Sequence, residues 1–136
     1  MDQLGAHDAD QAYRLRPDVV ATVLDHGALL LDLESKYFYL LNTPGWSVVQ
    51  LFEEGATTAH AIARATEWGA SEADRTGVAE MIEQMTAEHL LEPASEPANV
   101  NGEAPPEWQP VTFERQAQPL QRVIVSAFDP SIPLAE

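Results

Sequence analysis

Tyr37-Phe38-Tyr39-Leu40-Leu41-Asn42-Thr43-Pro44-Gly45-Trp46 is the stretch that decides the fold. Its first five residues are aromatic or branched, the composition of a strand half-buried in a pleated sheet. Asn42 or Thr43 then supplies a side-chain oxygen to cap a helix, and Pro44 falls in the first turn, where a missing N–H has no intrahelical partner to lose. A strand that passes straight into a helix joins a sheet layer to a helical layer, which is the signature of an α+β domain.

Upstream, residues 18–25 predict a first strand in which Val19, Ala21 and Val23 alternate with Val20, Thr22 and Leu24. Asp25-His26-Gly27-Ala28 is a tight turn in which Gly27 can take a positive φ, and residues 28–33 predict the second strand. Glu34-Ser35-Lys36 turns the chain into the third strand, 37–41, so two adjoining hairpins give a three-stranded antiparallel sheet that needs a helical cover. Downstream, Trp46, Val49, Leu51 and Phe52 continue the first helix to Gly55, with Trp46 expected as the central core aromatic. A second helix spans about Thr58 to Trp68 and stops at Gly69, Trp68 being expected partly exposed, either as a lid on a groove or as an ordinary amphipathic edge. Ser71-Glu72-Ala73-Asp74 reads as a capping box with Asp for Glu, opening a third helix whose apolar stripe is Val78, Met81, Ile82, Met85, His89 and Leu90. Three strands and a three-helix bundle in this order outline a winged helix-turn-helix.

The charge opposes the usual role of that outline. The chain of 136 residues has 22 acidic side chains, seven Lys and Arg, and a net charge of -15. The third helix carries Glu72, Asp74, Glu80, Glu83 and Glu88 against Arg75 alone. Nucleic-acid affinity comes mainly from cations that replace condensed counterions, so DNA and RNA are not expected partners, and a DNA-binding regulator is the least favoured reading. There is no cysteine, and His7, His26, His60 and His89 show no metal-ligand spacing. No Gly-rich phosphate loop is present. Neither catalytic residues, a metal, nor a cofactor is expected. No segment approaches the 18 or so apolar residues of a membrane span, and Met1–Asp10 lacks the basic and apolar regions of a signal peptide. A soluble, cytoplasmic, non-enzymatic protein is the expectation.

The residues Tyr37-Phe-Tyr-Leu-Leu-Asn42-Thr-Pro-Gly-Trp46, Leu51-Phe-Glu-Glu-Gly55-Ala-Thr57, Met81-Ile-Glu-Gln-Met85 and Leu90-Leu91 resemble the PqqD-like family, the type of pyrroloquinoline quinone biosynthesis protein D. The resemblance covers about residues 13–93. It implies a peptide chaperone without catalysis: a recognition element that holds the leader of a ribosomally synthesised, post-translationally modified precursor peptide and presents it to a modifying enzyme, often a radical S-adenosylmethionine enzyme. Strand addition at an open sheet edge beside an apolar groove suits that task physically. By the same resemblance the groove lies between the third strand and third helix, with Tyr37, Phe38, Tyr39 and Leu40 from the strand and Arg75, Val78, Ala79, Ile82 and Met85 from the helix. Each aromatic or branched member of that set is ordinarily a core residue, and Arg75 either pairs Glu72 or Glu80 locally or meets a ligand carboxylate. Thirteen acidic and five basic residues between Tyr13 and Pro93 favour a cationic partner.

Outside that block, residues 1–12 read as a disordered acidic leader and 94–107 as a linker rich in Pro and polar residues. Residues 108–136 form a docking tail anchored by Trp108 and Phe113, with a β-branched run at 120–128 as a candidate strand. The tail departs from the family, whose members commonly stop soon after the paired leucines. Three readings stay open. The run at 120–128 can pair with the open edge of its own domain or of a second copy, blocking the edge and permitting a homodimer. The tail can instead dock on the modifying enzyme, which includes the alternative of a purely structural partner subunit. Or it can itself be leader-like.

Overall fold

A computed structural model describes residues 11–116. The architecture is α+β, with two antiparallel sheets and, among the described residues, three helices. In chain order the elements are β1 (Ala12–Leu15), β2 (Val19–Leu24), β3 (Gly27–Asp32), β4 (Phe38–Asn42), α1 (Thr43–Gln50), β5 (Ala56–Thr57), α2 (Thr58–Glu67), α3 (Glu72–Ala87), β6 (Leu91–Ala94) and β7 (Phe113–Arg115). The larger sheet runs β2-β3-β4-β7 and the smaller one β5-β1-β6.

The three expected strands and three expected helices stand within a few residues of their expected places, each for a local reason. Gly27 has φ 151°, and a Cβ there would lie 1.8 Å from the Leu41 carbonyl oxygen, so only glycine lets β3 lie between β2 and β4 at this point. Asn42 caps α1 by accepting from Gly45 N–H at 3.0 Å. The capping box forms: Asp74 N–H donates to Ser71 Oγ at 3.2 Å and Ser71 N–H to Asp74 Oδ2 at 3.0 Å. The third helix closes with His89 at φ 64° and Leu90 N–H donating to the Met85 carbonyl at 2.9 Å. His89 is accordingly exposed, not part of the buried stripe.

Ala28, Leu30, Tyr39 and Leu41 cover the inner face of the larger sheet. Val48, Val49, Leu51 and Phe52 from α1 and its exit, and Val78, Met81, Ile82 and Met85 from α3, close the core with Leu90 and Leu91. Trp46 is only half-buried, and Tyr39 and Phe52 are the central aromatics instead. Val20, Val23 and Leu24 on β2, the far edge of that sheet, are exposed.

Four strands were not anticipated. Residue 12, placed above in a disordered leader, is the buried start of β1, which pairs with β5 and β6. The stretch 94–107, read above as a linker, lies along the domain. Ala98 and Asn99 N–H donate to the Gly55 carbonyl at 3.0 and 3.1 Å, His60 Nε2 to Val100 O at 2.6 Å, and Arg64 Nε to Asn101 O at 2.8 Å. A strand from the tail does pair with the larger sheet, but it is 113–115; the expected strand at 120–128 lies outside the described residues.

Arg16, its side chain 14% exposed, ties the two sheets together. Its guanidinium meets the buried Asp32 at 3.5 Å, Glu34 at 2.7 Å and Asp18 at 3.6 Å, and donates to the His89 carbonyl at the end of α3. Removing one partner of a buried pair strands the other's charge. Arg16→Ala should therefore lower the unfolding free energy by about 3 kcal/mol, measured by urea denaturation. Gly27→Ala should lower it by about 1–3 kcal/mol through overpacking at the Leu41 carbonyl.

Candidate functional site: the outer edge of β4

β4 has two edges. One pairs with β3 from Leu31↔Phe38 to Gly27↔Asn42, and the other faces the tail. There β7 adds antiparallel, with Tyr39 opposite Arg115, Leu40 opposite Glu114 and Leu41 opposite Phe113, and Gln116 N–H donates to Phe38 O at 2.9 Å. Because side chains alternate along a strand, Phe113 and Arg115 share the inner side with Tyr39, while Glu114 shares the outer side with Leu40.

The inner contacts are specific. The rings of Phe113 and Tyr39 stack with centroids 5.3 Å apart and planes 12° from parallel. Arg115 Nη1 reaches the Glu88 carboxylate at 3.2 and 3.4 Å, and its guanidinium lies 5.0 Å from the centre of the Tyr37 ring. Tyr39 O–H donates to the same Glu88 at 3.2 Å. Burial first, and then the Glu88 charge, push the Tyr39 hydroxyl up to about 12, so it remains a neutral donor. Beside Phe113 a depression of about 180 Å³ is lined by Gly77, Glu80, Met81 and Gln84 of α3 and by Val111 and Phe113 of the tail.

A clamp holds the chain before it enters β7. Asn42 Oδ1, besides capping α1, accepts from Thr112 N–H at 3.0 Å, and Asn42 Nδ2 donates to Pro110 O at 2.8 Å. These bonds go to tail backbone, so they hold an extended chain whatever its side chains. Further back, Trp108 lies over Gly69 and its Nε1 donates to Asp74 Oδ2 at 2.9 Å. The N–H of Ser71 first, and the Trp108 indole next, hold the Asp74 carboxyl below its ordinary range.

The expected site residues divide into groups. Tyr39, Val78, Ile82 and Met85 are buried in the core, and only Tyr39 among them has a described contact with β7. Tyr37 meets Arg115. Phe38 and Leu40 alternate with Tyr39 and share the opposite side of the sheet, where Leu40 is exposed. Arg75 and Ala79 are half-buried on α3 but do not line the depression, and Arg75 makes none of the ion pairs found among the described residues, so its pairing with Glu72 or Glu80 is not formed. The helix stripe nearest the tail is instead Gly77, Glu80, Met81 and Gln84, with Glu88 beyond it. Asn42 and Glu88 were not singled out as site residues. Asn42 was legible as a cap, yet its second use depends on where the tail runs.

Among the described residues no cluster of three His, Cys, Asp or Glu could hold a metal ion, and no helix is long and apolar enough to cross a membrane. No family model, curated protein or solved structure matches the chain.

The Asp74 carboxylate gives a pH test. Its folded value is lowered, so its contribution is present above the ordinary aspartate value of 3.8 and is lost as pH falls through the folded value. Asp74→Ala should therefore lower the urea midpoint and change Trp108 fluorescence at pH 7. The difference from the parent chain should narrow as pH falls below 3.8 and the carboxylate takes up its proton.

Proposed function

We propose that this chain is a PqqD-like recognition element of winged helix-turn-helix type. In this reading it binds the leader of a ribosomally synthesised precursor peptide by strand addition at β4 and presents it to a modifying enzyme, such as a radical S-adenosylmethionine enzyme. The supporting observation is that β4 already accepts a short extended segment from elsewhere in the chain, through main-chain pairing, the Asn42 clamp and a stacked aromatic. Strand addition of this kind draws affinity from backbone bonds and selectivity from alternate side chains. The acidic α3 beside the edge disfavours phosphate and favours a cationic peptide.

Because β7 occupies the edge in cis, a leader must displace it. A tethered strand acts at an effective concentration of about millimolar, so a leader's apparent affinity is reduced by the fraction of molecules in which the edge is open. The test is titration of the full chain with the short precursors encoded in reading frames beside its gene. Saturable binding is expected, weakening several-fold as salt rises from about 0.01 to 0.15 M and the screening length contracts from roughly 30 to 8 Å. Failure of every neighbouring precursor to bind would sink the proposal.

A further inference from the structure

The resident strand fits its seat incompletely, and the misfit indicates what fits better. Phe113 is half-buried and leaves the depression of about 180 Å³ between itself and Met81 unfilled. Gly77, on the rim, has open space where a side chain would stand. Glu114 is exposed opposite Leu40, with Leu29 next in the same outer row, so an acid faces two leucines on an already acidic domain. Arg115, in contrast, is well matched. Glu88 receives it, the Tyr37 ring lies beneath it, and Glu80 and Glu83 on the same helix add negative potential.

We propose that the β4 edge selects an extended peptide carrying a large aromatic residue, then an apolar one, then a cation, and that Phe113-Glu114-Arg115 is a weaker resident of the same pattern. The inference rests on the peptide-recognition reading and adds the chemistry of the ligand. Tyr39 reads the aromatic by stacking, and Met81 and Gly77 give a larger ring room. Leu40 reads the middle position through the cross-strand pair now held by Glu114. Glu88 and Tyr37 read the cation, by a charge-assisted bond and a cation–π contact. Asn42 reads no side chain: it holds the tail backbone at Pro110 and Thr112 and so sets where an incoming strand begins.

The experiment uses full-length chain and three fluorescent octapeptides. The first is the chain's own Pro-Val-Thr-Phe-Glu-Arg-Gln-Ala, the second has Trp-Val-Arg in place of Phe-Glu-Arg, and the third has Trp-Val-Glu. The Trp-Val-Arg probe should bind the parent chain about ten-fold more tightly than the own-sequence probe, because both displace the same tethered resident and only the fit of the ring and of the middle side chain differs. Arg115→Glu, which places the resident's end against Glu88, should raise the affinity of both by a similar factor. The Trp-Val-Glu probe should bind at least about five-fold more weakly than Trp-Val-Arg, and Glu88→Lys should invert that preference. Thermal melts establish that each variant folds. If Glu88→Lys does not, Glu88→Gln replaces it and should abolish the preference. Equal affinity for all three probes, alongside intact binding of a neighbouring precursor, would overturn this specificity and leave leader recognition in place. Discrimination among the probes with no precursor bound would support the specificity and remove the leader reading.

Discussion

The outer edge of β4 is the constraint on which the rest of the structure depends. A strand that pairs on one side only presents a row of backbone donors and acceptors to any passing chain, and β4 cannot be shielded by shortness because Tyr39 and Leu41 are needed in the core. Its occupant comes from the far side of the domain. From β6 the chain passes the β5–α2 junction at Gly55 and Thr57, the α2 side chains His60 and Arg64, and the start of α3 at Asp74 before it reaches Asn42. Asn42 makes the edge and the helical layer interdependent, since a single amide oxygen both caps α1 and receives Thr112.

Electrostatics follow the same logic. With a net charge of -15 the folded chain repels itself, and three of its arginines join segments distant in sequence. Arg14 meets Glu92 across β1 and β6, Arg16 links β1 to the end of β3 and the end of α3, and Arg115 meets Glu88. Exposed pairs contribute little, and Arg14 and Arg115 are about half exposed. Arg16 differs, because the carboxylate of Asp32 is buried beneath it.

The middle of the chain was legible in sequence because its signals are local. Asn42, Pro44 and the Ser71–Asp74 box each fix a cap through neighbours within four residues, Gly27 marks a turn by its positive φ, and the strands and helices between them follow. The omitted strands are those whose pairing is not local. Leu91-Glu92-Pro93-Ala94 contains a proline, which argues against a central strand but suits β6 at the sheet edge. Phe113-Glu114-Arg115 has no alternation long enough to detect, and its strand state comes from β4, about seventy residues away in sequence. Local propensity is a weak guide where the partner decides. For the candidate site, the sequence singled out the strand that β7 joins, and on α3 it singled out mostly the buried face. The buried face of α3 was legible from periodicity, whereas the flank at Gly77, Glu80 and Gln84, beside the buried Met81, acquires its meaning from the tail that passes it.

The tail's attachment is unequal along its length, and this bears on how an edge can be both protected and available. Between Ala98 and Thr112 it is tied by backbone bonds to Gly55, His60, Arg64 and Asn42 and by the Trp108 indole. β7 itself is three residues long, with Glu114 and Arg115 exposed and Phe113 half-buried. Segments with few buried apolar contacts open at far lower free energy than the core. Peeling back β7 alone would expose the edge from Phe38 to Leu41 while the preceding tail stayed in place. A peptide entering that space would then meet Tyr39 and Glu88 on one side and Val111 on the other, so the anchored part of the tail would form a wall of the groove it now helps to close.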